Sequence, residues 1–163
     1  MRGIRVFCPY TTLHPRTRSA LVEHAPDAEV MDLGTSHDAY YNALSELWRG
    51  GKTFLVVEHD IEIHEGVLPQ LRECDEPWCL FPYRGPEDVM LTSSLGCTLF
   101  SAELLARHPQ VMAELPVRDW RRLDCELSPR LMQLGYEPHV HEPMVLHHHV
   151  RENGRCDCRE EHG

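Results

Sequence analysis

This chain has almost no lysine. Lys52 stands alone beside fifteen arginines, and these sixteen cations face 26 acidic residues, for a net charge of −10 with histidine neutral. The skew towards arginine is a codon effect of a GC-rich genome and carries no mechanism. The missing positive charge excludes a general nucleic-acid binder, which needs a basic face to displace counterions, although it leaves room for a local basic groove. Long apolar runs are also missing. None approaches the ~20 residues of a membrane span, so no helical span is expected. The first residues, Met-Arg-Gly-Ile-Arg-Val-Phe, enter a strand pattern directly and lack the shape of a signal peptide, so a cytoplasmic location is expected. The seven cysteines are odd in number and scattered through apparent strands and helices. They read as reduced thiols used as small hydrophobes and not as a disulfide framework. There is no Gly-rich P-loop, nucleophile elbow or GxGxxG, and no internal repeat or second domain. A chain of 163 residues with 42% hydrophobic content suffices for one domain with a real core.

What the sequence does have is concentrated at residues 53–62. The run Thr53-Phe-Leu-Val-Val ends abruptly in Glu58-His59-Asp60-Ile61-Glu62. A short, β-branched, continuous apolar run reads as a strand buried on both faces. Carboxylates inside it would be costly to bury. They fit at its carboxyl end, where open α/β sheets bind ligands. In extended backbone Glu58 and Asp60 leave on the same face. Two carboxylates aimed at one point repel unless a cation lies between them, and Mg²⁺ and Mn²⁺ favour such oxygen ligands. The alternative is that these acids cap the next element or face water.

The rest of the chain alternates strands and helices. Strands are expected at 3–8, 28–33, 53–58, 78–83 and 95–100, with an extended segment at 138–146. Helices are expected at 15–24, opened by Pro15, at 37–48, capped by Ser36 and ended by Gly50-Gly51, and at 66–74. A further helix runs from Ser101 to 108. The last, at 119–134, carries Trp120, Leu123, Leu127, Leu131 and Leu134 on one face, with Pro129 as a disturbance and Gly135 as its end. Residues 84–92 read as a loop, and the tail from 151 as polar and loose. Strand-helix-strand order implies a parallel sheet with right-handed crossovers. Twelve histidines are many for this length, and five of them fall between His139 and His149.

In this order the pieces resemble a compact, single-domain GT-A type glycosyltransferase, the nucleotide-sugar-dependent kind. Four segments carry the resemblance. Cys8-Pro9-Tyr10-Thr11-Thr12 is similar to the nucleobase-binding start. Glu58-His59-Asp60 is similar to the metal-binding Asp-x-Asp, with glutamate first. Leu95-Gly96-Cys97-Thr98-Leu99-Phe100 is similar to the Gly-containing strand near the acceptor. Residues 123–136, with Asp124, Glu126, Arg130, Gly135 and Tyr136, are similar to the Glu-Asp-x-Asp-Leu-x-x-Arg-Leu-x-x-x-Gly-Tyr segment, followed by the run His147-His148-His149 where the family often places a metal-ligating histidine. The likeness spans residues 3–149. It departs from the pattern at Leu123, where the first acid of the Glu-Asp pair is usual, and in its short length.

The resemblance implies a single doubly wound α/β domain over residues 1–150, with a mostly parallel central sheet flanked by helices, and a metal-dependent transfer of a sugar from a nucleotide donor to an acceptor hydroxyl. Pro9, Tyr10, Thr11 and Glu58 fall on the donor side, and Gly96, Cys97 and Glu126 on the acceptor side. Mn²⁺ or Mg²⁺ is implied at Asp60, with Glu58 through water, and the shell is completed by His149 or, next in preference, His147. Period-2 geometry puts His147 and His149 on one face and His148 on the other. Asp124 is implied as the general base, which in line would give inversion; its alternative is a helix-face ion pair to Arg121 at i−3. Asp32, at the end of its strand, suits a nucleoside contact or a turn cap. Arg16 and Arg18 suit phosphate or a solvated face. Acceptors open to such a protein include a glycan, a small molecule, a protein or a modified DNA base. Two other readings stand beside this one. One is a non-catalytic nucleotide- or metal-binding accessory domain. The other is a small zinc protein using its histidines and cysteines, where Cys156-x-Cys158 with His162 is a poor match to Cys-x₂₋₄-Cys spacing.

Overall fold

The computed structural model describes residues 2–148. Its six-stranded sheet is built from β1 (Arg5–Tyr10), β2 (Glu29–Asp32), β3 (Phe54–Val57), β5 (Trp78–Leu80), β8 (Cys97–Phe100) and β9 (His139–Val140), in the order β2-β1-β3-β8-β5-β9. β1 runs parallel to β2 and to β3, and β5 parallel to β9, whereas β8 is antiparallel to both its neighbours. The sheet is therefore mostly parallel, with one reversed strand inserted at its centre. That reversal brings the amino end of β8 to the edge where β3 ends. Two small antiparallel pairs decorate this edge. One joins β4 (Ile61–Glu62) to β10 (Leu146–His147), and the other joins β6 (Tyr83–Arg84) to β7 (Met90–Leu91).

Period-2 alternation sorts each strand into two cores. On one face Phe7, Phe54, Val56 and Phe100 pack with Tyr40, Leu44, Trp48, Leu104, Leu123, Leu127 and Leu131. These come from α2 (Ala39–Gly50), α4 (Ala102–Arg107) and α5 (Leu123–Gln133). On the other face Val6, Cys8, Leu55, Val57, Cys79 and Leu99 pack with Ala20, Leu21, Leu68 and Leu71, from α1 (Pro15–His24) and α3 (Val67–Glu73). All four residues of β3 are fully buried, as a strand covered on both sides requires. At roughly 1.5–3 kcal/mol for each large apolar side chain removed from water, the two layers are the main stabilising term.

The helix ends follow their local chemistry. Pro15 occupies the first turn of α1, where His14 Nδ1 accepts from the Arg16 N–H at 3.1 Å. Gly51 closes α2 at φ +68°. The Ser101 hydroxyl accepts from the Leu104 N–H and starts α4. Gly135, at φ +93°, ends α5 while the Tyr136 N–H bonds back to the Leu131 carbonyl.

Four local expectations change. Ser36 does not cap α2: its hydroxyl bonds the Asp38 carboxylate, and the helix begins at Ala39. Residues 84–92 hold the β6–β7 hairpin and not a plain loop. The helix expected from 119 is a 3₁₀ turn (Trp120–Arg122) leading into α5, so Trp120 lies half-exposed under Arg121 and not on the buried face. α5 then runs unbroken through Pro129. The carbonyl that proline leaves unserved belongs to Cys125, an exposed residue within reach of water.

Candidate functional site

The carboxyl end of β3 gathers the acids. Backbone hydrogen bonding continues one residue past the strand, the Glu58 N–H donating to the Gly96 carbonyl at 2.8 Å. The chain then turns, with the Ile61 N–H on the Glu58 carbonyl, and enters β4. Glu58 and Asp60 are thereby held at the end of a fully buried strand. Gly96 is needed at this crossing because a Cβ there would overlap the Tyr83 ring. Asp124 arrives from the first turn of α5, where its Oδ1 accepts from the Leu95 N–H at 3.1 Å. α5 is also tied to the same loop through the Ser128 hydroxyl, which donates to the Ser93 carbonyl.

The three carboxylates feel one another. Glu58 is pushed well above the usual carboxylate range, first by burial, then by the charges of Asp124 and Asp60, while a hydrogen bond from the Tyr40 hydroxyl to Oε1 (2.9 Å) pulls the other way. Asp124 is raised by burial and by Asp60 despite its backbone hydrogen bond. For Asp60 burial is the largest single effect and would raise it. His147 hydrogen bonding and the His59 and His147 charges outweigh that effect and hold it low. Tyr40 and Tyr83 are also driven upward by burial and by Glu58, so the wall behind the acids is two neutral phenols.

His147 is the group that meets the acids from the other end of the chain. β10 pairs with β4, His147 opposite Ile61, and sets the imidazole between two acceptors. Nδ1 lies 2.9 Å from the Arg84 carbonyl and Nε2 lies 3.0 Å from Asp60 Oδ2. A carbonyl only accepts, so Nδ1 carries the hydrogen there. Nε2 then faces a carboxylate oxygen, which is also only an acceptor. A second proton or a cation has to lie between Nε2 and Asp60. Metal-ligating histidines commonly show this arrangement, one nitrogen donating to a carbonyl and the other directed at the metal. The donor set of one carboxylate, one imidazole and a second carboxylate nearby suits Mn²⁺ or Mg²⁺. Among the described residues the side chains around Asp60 do not form a closed trio of ligand atoms within 4.8 Å of one another. That is compatible with an ion that takes few protein ligands and completes its shell with phosphate and water.

The remaining expected residues fall as follows. His148 points the other way from His147: its Nε2 is 2.7 Å from Glu62 Oε2, and its ring stacks on His14 with centroids 4.4 Å apart. His149 lies outside the described residues, as do Cys156, Cys158 and His162. Pro9, Tyr10 and Thr11 lie at the carboxyl end of β1, Thr11 exposed. Asp32 accepts the Gly34 N–H at 2.9 Å, which makes it a turn cap at the end of the exposed edge strand β2. Arg16 pairs with Glu62 at 3.0 Å. Cys97 is fully buried within β8, its thiol pushed up to about 12 by burial, so its side chain does not line the open edge. Glu126 pairs with Arg122 at 3.2 Å, and Asp124 bonds backbone where an ion pair with Arg121 was the alternative. Sequence reasoning missed Tyr40 and Tyr83. The helical period of α2 marks Tyr40 as buried, but nothing in it marks the hydroxyl's target. A hollow of about 800 Å³ between α2 and α4 contains none of these carboxylates.

No protein family and no curated protein matches the sequence. Solved structures do match in fold. A glycosyltransferase involved in glycosylation of the major capsid of PBCV-1 superposes with a TM-score of 0.58 at 13% identity, over 98% of this chain and 99% of that one. A197 from STIV gives a TM-score of 0.58 at 14% identity, over 99% and 92%. CMP:2-keto-3-deoxy-manno-octonic acid synthetase complexed with CTP gives 0.53 at 10% identity, over 87% and 90%. The chain thus has a GT-A-like fold, an α/β architecture that these proteins share over nearly the whole of its length.

Proposed function

We propose that this protein is a glycosyltransferase that moves a sugar from a nucleotide-sugar donor to an acceptor hydroxyl with the help of Mn²⁺ or Mg²⁺. The observation that supports it most is the His147 Nε2–Asp60 contact at the carboxyl end of β3, with Glu58 and Asp124 both buried and both raised by the charge of Asp60. The GT-A-like fold, shared with a glycosyltransferase and a CTP-complexed synthetase, agrees with it.

In this reading Asp60 and His147 hold the cation and Glu58 supports it through water. When bound, the cation neutralises the charge that develops on a diphosphate leaving group. The chain's own residues do the rest. Tyr40 keeps the Glu58 carboxylate in place by donating to Oε1. The Leu95 N–H fixes the Asp124 carboxylate, leaving its second oxygen for an acceptor hydroxyl. Burial and the charge of Asp60 hold Asp124 above the ordinary range, which makes it a stronger base. A base opposite the departing diphosphate gives inversion at the anomeric carbon. Pro9, Tyr10 and Thr11 line the end of β1 where the nucleobase would enter.

The test is release of nucleoside diphosphate from a panel of nucleotide sugars, with and without Mn²⁺, by transfer or slow hydrolysis. The reading expects metal-dependent release from one donor class. Binding without any release, across glycan, small-molecule, protein and DNA acceptors, would instead make this a nucleotide-binding accessory domain.

A further inference from the structure

A second cluster lies at the other margin of the sheet, away from the carboxylates. Among the described residues, Cys74, Cys79 and His141 bring one ligand atom each to within 4.8 Å of one another. Cys74 ends α3, Cys79 is the centre of β5, and His141 follows the edge strand β9, with its N–H on the Leu80 carbonyl. The two sulfurs are 3.2 Å apart. That is far beyond the ~2.05 Å of a disulfide and within half an ångström or so of the ~3.8 Å separation that two sulfurs at ~2.3 Å from a tetrahedral zinc would have. Cys74 is only partly buried and has room to adjust.

The histidine supplies an independent observation. His141 is 9% exposed, and its Nε2 is buried with no hydrogen-bond partner. Nδ1 faces Gln70 Oε1 at 3.3 Å, so the amide oxygen takes the Nδ1 hydrogen and leaves the Nε2 lone pair for something else. A buried imidazole nitrogen without a partner is costly, and an oxygen acceptor behind the far nitrogen is what orients a metal-bound histidine. The ring is fixed in place by stacking on Phe81, with centroids 5.1 Å apart. Burial, then the neighbouring His139 and Arg2, lower its proton affinity, which keeps it neutral as a ligand must be.

We propose that Cys74, Cys79 and His141 form a structural zinc site. Thiolate and imidazole are the donors zinc prefers, and Cys74-x₄-Cys79 has knuckle spacing. The fourth position falls to water or to His139, whose exposed ring stands edge-on to His141 with centroids 4.7 Å apart. The site joins the end of α3, the middle of β5 and the start of the segment that delivers His147 to Asp60. Its role is to anchor that segment, and it does not depend on how the carboxylate edge is used.

The full chain, purified from zinc-replete cells under reducing conditions, is assayed for zinc and thiols without nucleotide or added manganese. About one tightly held zinc per chain is expected. Replacing it with Co²⁺ should give the visible bands of a tetrahedral site and near-ultraviolet thiolate charge transfer. Cys74→Ser and His141→Ala should each lose the metal and the thiolate signature or its tetrahedral character. Cys74→Ser, at a partly exposed helix end, keeps the core intact if Cys79→Ser does not fold. The pair Cys156→Ser and Cys158→Ser controls for the tail and should retain the zinc. Full zinc in Cys74→Ser, loss in the tail variant, or an unsubstituted chain whose Cys74 and Cys79 titrate as free thiols or a disulfide would overturn the proposal.

Discussion

Replacing Asp124 by asparagine should make the protein more stable and less active at once. Asparagine Oδ1 can still accept the Leu95 N–H that Asp124 accepts at 3.1 Å, so the tie between α5 and the β8 loop survives. What disappears is a charge held against burial and against Asp60. Relieving such a strained functional group typically returns about 0.5–2 kcal/mol. For a chain of this length each kcal/mol moves the melting temperature by about 2–4 °C, so the metal-free variant should melt about 1–8 °C higher. Loss of a general base lowers turnover by about 10²–10⁴-fold, or about 2.7–5.4 kcal/mol of barrier. Under the proposed function donor affinity should hardly change, because a base acts on the acceptor hydroxyl and not on the diphosphate. Thermal melts in chelator and donor turnover on the same preparations read both effects. A variant that melts lower, or that turns over within about tenfold of the unsubstituted protein, would remove Asp124 from the role of base, and Glu126 would be the next residue to test.

Three further outcomes are expected. Glu58 is raised in the folded protein, so its contribution to stability is present below the ordinary carboxylate range and is lost as pH climbs through the raised value; in chelator, Glu58→Gln should gain stability over the unsubstituted protein as pH rises from about 4 to 8, and a difference that shrinks with pH would contradict this. Tyr40→Phe removes the donor to Glu58 Oε1 and should cost about 1–3 kcal/mol in denaturant unfolding; an unchanged midpoint would show that the hydrogen bond is not formed. His147→Ala should weaken Mn²⁺-dependent nucleotide binding by at least about tenfold, while His148→Ala, whose ring serves Glu62 and His14, should leave it intact; the opposite ranking in a nucleotide titration would reverse the register of β10.

The parts of the site that were legible in the sequence are those whose neighbours in sequence are neighbours in space. Glu58 and Asp60 show because an apolar strand ends in acids, and the strand itself because all of Phe54–Val57 is apolar. Gly51, Ser101 and Gly135 show as helix ends because a cap is a local hydrogen bond. The alternation of His147 and His148 follows from period-2 geometry once the segment is extended. Direction and pairing are different. Nothing in Cys97–Phe100 says that this strand runs backwards, because a buried strand has the same composition either way. The β6–β7 hairpin has two residues in each strand, too few to show a period. Tyr40 reaches Glu58 from another element, and His141 reaches Cys74 across 67 positions, so neither contact leaves a mark in local sequence.

The most direct test of the carboxylate edge is binding of uridine, guanosine or cytidine diphosphate to the unsubstituted protein and to Asp60→Asn, by thermal shift, with Mn²⁺ and with excess chelator. Specific ligands stabilise by mass action, about 2.7 kcal/mol at a hundredfold excess over Kd. Asp60 lies at a strand end, 13% exposed, where asparagine keeps its shape and its place against His147. The account predicts that one nucleotide stabilises the unsubstituted protein only when Mn²⁺ or Mg²⁺ is present, and that the variant folds but shows no such dependence. Equal nucleotide stabilisation in the variant, or in chelator, would contradict it.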